Sequence, residues 1–147
     1  ALTWNDGNYY LIGYDDNEKK LKHYRVDKMK APSVTDQRRT GKSVFSGFSL
    51  AEYEKSVFGM YGGTPMNVKI RFDENLAGVV IDKFGSDIVF AHNQKDPGHF
   101  TINVKVEESM QFYAWVFGLG EGALIISPQN AVKRMKDEAK RLAKQYK

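Results

Sequence analysis

A short segment near the start of the sequence combines positive charge with aromatic and imidazole rings. Residues 19–42 contain nine basic residues and two acidic ones, whereas residues 1–18 contain four acidic residues and no basic one. Positive side chains neutralise phosphates and flat rings stack on nucleobases, which is the combination used by proteins that bind single-stranded nucleic acid. The candidate ligand-binding residues are Tyr10, Lys22, His23, Tyr24, Arg25 and Lys28.

The same charge has a second interpretation that needs no ligand. Lysines on an exposed edge strand protect a sheet against pairing with another chain. Charge alone favours this interpretation, because runs of charge usually face solvent. The overall net charge of +4 does not separate the two interpretations.

Two strands are predicted to position these residues. Residues 9–14 and 21–29 are rich in strand-forming types and flank the turn-forming sequence DDNEKK, which predicts a hairpin that must pack on other elements. Because strand side chains alternate, only one face of the second strand can point into a single pocket. One face would hold Lys22, Tyr24, Val26 and Lys28, and the other His23, Arg25, Asp27 and Met29. We expect the face with Arg25 and His23 to be the pocket side.

The rest of the chain alternates between helix and strand patterns. Ser49 with Glu52 three residues later forms a capping box, which predicts a short linking helix before Gly62 and Gly63. From residue 66 onward the order is strand, helix, two strands, helix and strand, followed by a last helix capped by Ser127. This order predicts an α+β fold of the ferredoxin-like type, with helices on one face of an antiparallel sheet.

The composition excludes several classes of protein. The 147 residues are 41% hydrophobic and 27% charged, which is typical of a globular chain with a core. No segment approaches the roughly 20 consecutive apolar residues of a membrane helix, and no signal peptide opens the chain, so we expect a cytoplasmic protein. The lack of cysteine excludes disulfides, thiolate metal sites and cysteine nucleophiles.

Three further motifs are better explained by structure than by chemistry. The sequence TGKS at residues 40–43 lacks the earlier glycine of a phosphate-binding loop, and GLGEG at residues 118–122 follows a helix rather than a strand, which indicates a helix end. His92 and His99 flank a predicted turn without any further pattern of metal ligands. No spacing nominates a general acid, a base or a nucleophile, so we predict no enzyme, no cofactor and no metal.

The order of residues resembles that of a known family. ALTWNDGNYYLIGYDDNEKKLKHYRVDKM resembles the second half of the WYL domain of bacterial transcriptional regulators. Tyr9, Tyr10 and Leu11 stand at the naming Trp-Tyr-Leu tripeptide, with tyrosine in place of tryptophan. The family's Arg-x-Phe-Arg-x-Asp-Arg-Ile stretch is matched by Lys22, Tyr24, Arg25, Asp27, Lys28 and Met29. The rest, through FGLGEGALIISPQNAVKRMKDEAKRLAKQYK, resembles the WCX extension that follows WYL in these regulators.

The resemblance implies three parts. Residues 1–46 would be a partial WYL domain with part of an Sm-like or SH3-like barrel, residues 47–64 a linking helix, and residues 65–147 a ferredoxin-like WCX extension. The chain would begin inside the WYL domain, which leaves the barrel incomplete or completed by another chain. Operator DNA would be bound only through a helix-turn-helix that this chain does not contain.

The resemblance also implies a function, which is to sense an effector and to form a homodimer. Single-stranded nucleic acid or a nucleotide derivative is the implied effector. Arg25, Lys28 and Lys22 would neutralise phosphates, while Tyr10, His23 and Tyr24 would stack or form hydrogen bonds. Lysine at positions 22 and 28, where arginine is common in the family, offers no bidentate fork for a phosphate.

Two other functions remain open at the level of sequence. A pure interaction module would pair two subunits through the ferredoxin-like half and leave the basic strand in solvent. A small hydrolase or transferase would need a catalytic group that no motif in the sequence supplies.

Overall fold

Two antiparallel sheets joined by a short helix make up the fold. The computed structural model describes residues 1–147. The strands are β1 (Leu2–Asn5), β2 (Asn8–Asp15), β3 (Lys20–Arg25), β4 (Thr64–Asp73), β5 (Ala91–His92), β6 (His99–Glu108) and β7 (Ala123–Ser127). The helices are α1 (Leu50–Ser56), α2 (Ala77–Phe84), α3 (Met110–Gly118) and α4 (Gln129–Gln145), with single 3-10 turns at Val26–Lys28, Glu74–Leu76 and Gly120–Gly122.

The first sheet is an open meander in the order β1-β2-β3. The predicted hairpin is present, with Tyr10 opposite Arg25 and Ile12 opposite His23, but a further strand, β1, precedes it. The prediction that β3 continues to Met29 was wrong, because the strand ends at Arg25 and a 3-10 turn follows. Asp27 contributes to this bend, since its carboxylate accepts two hydrogen bonds from the Arg25 guanidinium at 3.0 and 2.8 Å. Lys28 therefore lies off the strand.

The second sheet has the order β5-β6-β4-β7. This is the strand order of the ferredoxin-like arrangement, so the predicted α+β class is confirmed. The alternation of β4 is also confirmed, because Val68, Ile70 and Phe72 are buried while Lys69 and Arg71 are not. The predicted strand before the NQKDPG turn is short, and of its residues only Ala91 and His92, which form β5, pair with β6.

One hydrophobic core lies between the second sheet and its helices. It contains fourteen buried residues, and all of them come from the segment between Phe58 and Ala131. Val80 and Phe84 from α2 and Val116 from α3 face the sheet, and α2 ends at Gly85 as predicted, with φ at +95°. The prediction of Ser127 as the cap of the last helix was wrong, because Ser127 ends β7 and Pro128 occupies the cap position.

The connection between the two sheets is α1 and the buried segment after it. The Ser49 hydroxyl accepts a hydrogen bond from the Glu52 backbone N–H at 3.3 Å, which confirms the predicted helix start. The helix ends at Ser56, before the predicted glycine stop, because Val57 is extended and buried together with Phe58. On the other side of α1, the Thr3 hydroxyl from the first sheet donates to the Glu54 carboxylate.

The polar stretch between the first sheet and α1, residues 30–48, forms no strand or helix. Gly41 lies there against the Tyr14 ring, and a Cβ at Gly41 would come within 2.7 Å of that ring. The TGKS sequence thus belongs to a turn and does not join a strand to a helix. None of the helices has the length and hydropathy needed to cross a membrane.

The Lys83 side chain on α2 forms hydrogen bonds with the backbone at the end of α1. Its ammonium donates to the backbone carbonyls of Val57 at 2.6 Å and Glu54 at 3.2 Å, and it lies 4.2 Å from the centre of the Phe58 ring. A cation at these carbonyls satisfies the unpaired end of α1. Burial lowers the pKa of Lys83 to about 8, and the nearby Glu54 carboxylate opposes this shift.

This pKa predicts a pH-dependent stability. Between about pH 8 and the ordinary lysine value of 10.5, the unfolded chain still holds the proton that the folded chain has released, so the free energy of unfolding rises with pH. A single proton limits the slope to ~1.4 kcal/mol per pH unit, and solvent screening of this partly exposed group reduces it. Urea unfolding between pH 7.5 and 9.5 would measure the slope. Lys83→Met should reduce it and the exposed-site control Lys136→Met should not; equal slopes in all three proteins would contradict the prediction.

Candidate functional site

A large cleft lies between the two sheets. It has a volume of about 1170 Å³ and runs along β3, whose outer edge carries no further strand. Its opposite wall is formed by residues 59–65, which lead from α1 into β4. All six candidate residues from the sequence line this cleft: Tyr10, Lys22, His23, Tyr24, Arg25 and Lys28.

The candidate residues come from both faces of β3 and from the turn after it. His23 and Arg25 share a face with Tyr10, because Tyr10 and Arg25 are paired across the sheet. This is the face that contacts α1, through His23 and Tyr53. Tyr24 and Lys22 point to the other face, and they reach the cleft because it follows the free edge of the strand.

Two of the candidate cations, Lys22 and Arg25, already form ion pairs with carboxylates. Lys22 is paired with Asp15 at 2.7 Å and with Glu18, which raises the pKa of Lys22 and lowers that of Asp15 to about 2. The Lys22 side chain is 29% exposed, Asp15 16% and Glu18 48%, so a competing anion can reach Lys22 from solvent.

Arg25 and Lys28 differ in their partners. One Arg25 nitrogen bonds the Asn8 amide oxygen at 2.6 Å, and the guanidinium pairs with Asp27, whose pKa is lowered by that contact. Lys28 is exposed and forms no ion pair. An incoming anion would therefore find Lys28 free and would compete with Asp27 for Arg25.

The inner part of the cleft contains a histidine–tyrosine pair. The His23 Nε2 atom lies 3.1 Å from the Tyr53 hydroxyl oxygen. Burial lowers the pKa of His23, with the Met60 backbone carbonyl opposing the shift, and burial raises the pKa of Tyr53 to about 12. At neutral pH both rings are therefore uncharged, and the neutral imidazole can accept the Tyr53 hydroxyl hydrogen.

Glu107 on β6 is an acidic residue in the same cleft. It is 8% exposed, although its strand position predicts a solvent-facing side chain. Burial raises the pKa of Glu107, while the Gly63 backbone N–H acts in the opposite direction. Glu107 and Tyr53 also border a second cleft of about 540 Å³ beside α1.

Sequence reasoning missed both inner residues. Tyr53 belongs to the linking helix and Glu107 to a strand, and no motif in the sequence distinguishes either residue as part of a site. The one signal that could have pointed to them is Gly62-Gly63, because paired glycines mark a place where the backbone approaches another element closely. A Cβ at Gly63 would lie 1.9 Å from the Glu108 carbonyl oxygen.

The histidines outside the cleft are in polar surroundings. His99 lies between two carboxylates, with Nε2 3.1 Å from Asp73 and Nδ1 2.7 Å from Asp96, and His92 is exposed on β5. No group of three or more histidine, aspartate or glutamate side chains is arranged to hold a metal ion.

The strand order and the helices on one face define a ferredoxin-like α+β domain. Residues 64–143, which span β4 to α4, match the family model of the WCX domain. The match covers more than half of the chain, and the chain belongs to the WCX domain family. No curated protein matches the chain. The WCX part of the predicted resemblance is thus confirmed, and the cleft lies where the matched segment meets the residues before it.

Proposed function

We propose that this chain is the effector-sensing and dimerising part of a bacterial transcriptional regulator. In this proposal residues 1–46 are a partial WYL domain, residues 47–64 the linking helix, and residues 65–147 the WCX extension. The cleft binds single-stranded nucleic acid or a nucleotide-like anion without transforming it. Operator DNA is reached in the cytoplasm through a helix-turn-helix outside this chain.

One observation carries the ligand part of the proposal. Six residues chosen from sequence for phosphate neutralisation and stacking all line one cleft, together with Lys20, Tyr53 and Tyr61. The rim thus combines four cations with tyrosine rings, which is the pairing that favours single strands. The ion pairs of Lys22 and Arg25 are partly exposed, and they hold the charges in place until a ligand displaces the carboxylates.

Short labelled single-stranded DNA should bind this cleft with a strong dependence on salt. Fluorescence polarisation at several salt concentrations should give a linear log-log plot with a slope of about −0.7 per phosphate contacted. In the double variant Arg25→Ala/Lys28→Ala we expect weaker binding and a slope smaller in magnitude by about one unit or more, since two phosphate contacts are removed.

A matched control is available on the last helix. Lys136→Ala/Lys140→Ala removes the same charge from exposed positions on α4, remote in sequence from the cleft residues, and should leave the slope unchanged. Equal losses in the two double variants would mean that net charge alone attracts the DNA. No binding at low salt would contradict the ligand proposal.

A different observation favours the second candidate, a dimerisation module without a ligand. The outer face of the first sheet exposes five large apolar side chains: Leu2, Trp4, Tyr9, Leu11 and Tyr24. They are contiguous, because Leu2 pairs with Leu11, Leu11 with Tyr24, and Trp4 with Tyr9, whose rings are 4.7 Å apart. A contiguous exposed apolar face of this kind is typical of an interaction surface.

The occupant we propose for this face is a second copy of the chain. The outer edge of β1 carries no partner strand, so two copies could pair their β1 edges and bring their apolar faces together. Sedimentation velocity would show concentration-dependent dimers that Trp4→Ser abolishes. Dimers without any DNA binding would favour the second candidate alone, and both properties together would support the full proposal.

A further inference from the structure

The cleft carries positive charge at its rim and one buried negative charge inside. Glu107 lines the cleft at 8% exposure, and neither lysine, arginine nor histidine forms an ion pair with it. The Gly63 backbone N–H is the donor that contributes to stabilising its charge, and Lys105 adds a weaker, longer-range contribution. An ionised carboxylate has about four lone-pair sites, so Glu107 keeps unused acceptor capacity.

A buried carboxylate with unused acceptors would repel the phosphates that the rim attracts. Lys22, Arg25 and Lys28 belong to the strand and turn on one side of the cleft, whereas Glu107 belongs to β6 in the other sheet. A ligand that pairs with the rim cations and also with Glu107 must have an anionic part for the rim and a group with N–H donors for the interior. A nucleotide whose phosphates stay at the rim while its base enters the cleft has this polarity.

We infer that Glu107 accepts hydrogen bonds from the base of a bound nucleotide, and that guanine is the base it selects. This inference rests on the function proposed above. Guanine alone among the common bases presents two adjacent donors, N1–H and the N2 amino group, to the two oxygens of one carboxylate. Adenine and cytosine place a single amino group beside a ring-nitrogen acceptor, and thymine has one N–H between two carbonyls, so each would set a lone pair against the second oxygen.

The neighbours of Glu107 fit a flat base. Tyr53 and Tyr61 line the same cleft, and their rings supply stacking surfaces. Tyr53 is half-buried and its hydroxyl is engaged with His23, so its position is fixed before a ligand arrives. Gly62 lines the cleft without a side chain, and a Cβ there would stand 3.6 Å from the His23 ring.

The test compares three labelled thymidine strands that differ only at a central position, which is guanine, inosine or thymine. All carry the same phosphates, so their salt slopes should be equal. We expect the guanine strand to bind about 5- to 150-fold more tightly than the all-thymine strand, the range of a good bidentate contact. Inosine keeps N1–H and lacks the N2 amino group, so its affinity should lie between the two.

The protein variant Glu107→Gln should lose the guanine preference and keep the salt slope. The control Glu121→Gln removes an exposed carboxylate outside the cleft and should change neither. Because burial raises the pKa of Glu107, its charged form is destabilising at neutral pH, and Glu107→Gln should be no less stable than the parent at pH 7 in urea unfolding.

The outcomes separate this inference from the proposed function. Equal binding of the three strands with a normal salt slope would overturn guanine selection and leave the ligand proposal standing. A guanine preference that survives Glu107→Gln would overturn the role of Glu107 and would also leave the ligand proposal standing. No binding of any strand at low salt would overturn both. If Glu107→Gln fails to fold, the comparison of guanine with inosine on the parent protein still decides whether the N2 amino group is recognised.

Discussion

Replacing Phe58 by alanine should lower the free energy of unfolding by ~3–5 kcal/mol, the cost of removing a buried phenyl ring. Phe58 is 4% exposed and lies in the buried segment that follows α1 and links the two sheets. Its ring centre lies 5.4 Å from those of Phe112 and Trp115 and 6.4 Å from that of Phe84. The substitution would leave a cavity among these rings and would also remove the ring beneath the Lys83 ammonium.

Urea unfolding followed by circular dichroism would measure this loss, and two variants calibrate it. Phe58→Leu keeps most of the volume and should cost clearly less. Phe117→Ala removes the same ring from the exposed side of α3, where the side chain is 61% exposed, and should change stability little. A Phe58→Ala effect no larger than that of Phe117→Ala would mean that Phe58 does not anchor the link.

Gly63→Ala should be the second most damaging change, although it adds only one methyl group. The added Cβ would stand 1.9 Å from the Glu108 carbonyl oxygen and 2.6 Å from its carbon, and both of these are backbone atoms that cannot rotate away. Residues 63–65 would have to move away from β6 at the point where Thr64 pairs with Glu108. Overpacking of this kind costs ~1–3 kcal/mol or more, and here it would also displace one wall of the cleft.

Gly78→Ala is the matched control for this substitution. Gly78 lies on the exposed side of α2 and a Cβ there meets no atom within 4 Å, so alanine should stabilise the helix by ~0.5–1 kcal/mol. Thermal unfolding should therefore move in opposite directions for the two variants, and polarisation with labelled single-stranded DNA should weaken only for Gly63→Ala. Stabilisation by Gly63→Ala would show that the close approach to Glu108 is absent in solution.

The larger sheet could be predicted because its signals are local. Apolar and polar residues alternate from Met66 to the end of β4, as in Val68, Ile70 and Phe72 against Lys69 and Arg71, and they alternate through most of β6, so strand type and inward face follow directly. The start of α1 at Ser49 and the end of α2 at Gly85 were predictable for the same reason, since a side-chain cap and a positive φ are properties of single residues.

The first sheet was predicted less well because its limits depend on tertiary contacts. The strand β1 has four residues, and it is held by pairing with β2 and by the bond from Thr3 to Glu54 on α1. The alternating pattern of β3 continues beyond Arg25 in the sequence, but the pairing of Arg25 with Asp27 accompanies a turn there. Neither contact is visible in a pattern of residue types.

The outer part of the candidate site was predictable and its inner part was not. The positive charge and aromatic content of β3 predict a ligand-binding strand, and the cleft follows that strand. Glu107 alternates with the inward-facing residues of β6, so its position in the strand predicts a solvent-facing side chain. It is buried because α1 and residues 59–65 cover that end of the sheet. Its environment arises from three segments that are distant in sequence, so periodicity within any one of them carries no information about it.

Buried residues are distributed very unevenly between the two sheets, and this has a consequence for local unfolding. Of the first 48 residues only Thr3 and Ile12 are buried, whereas the fourteen-residue core lies wholly beyond them. The first sheet should therefore open at a lower free energy than the whole chain, and its amide hydrogens should exchange first. One wall of the cleft belongs to the first sheet and the other to the second sheet and the segment before it. A ligand that contacts both walls therefore stabilises the first sheet by its binding free energy. Slower hydrogen exchange of the β2 and β3 amides would then report that the cleft is occupied.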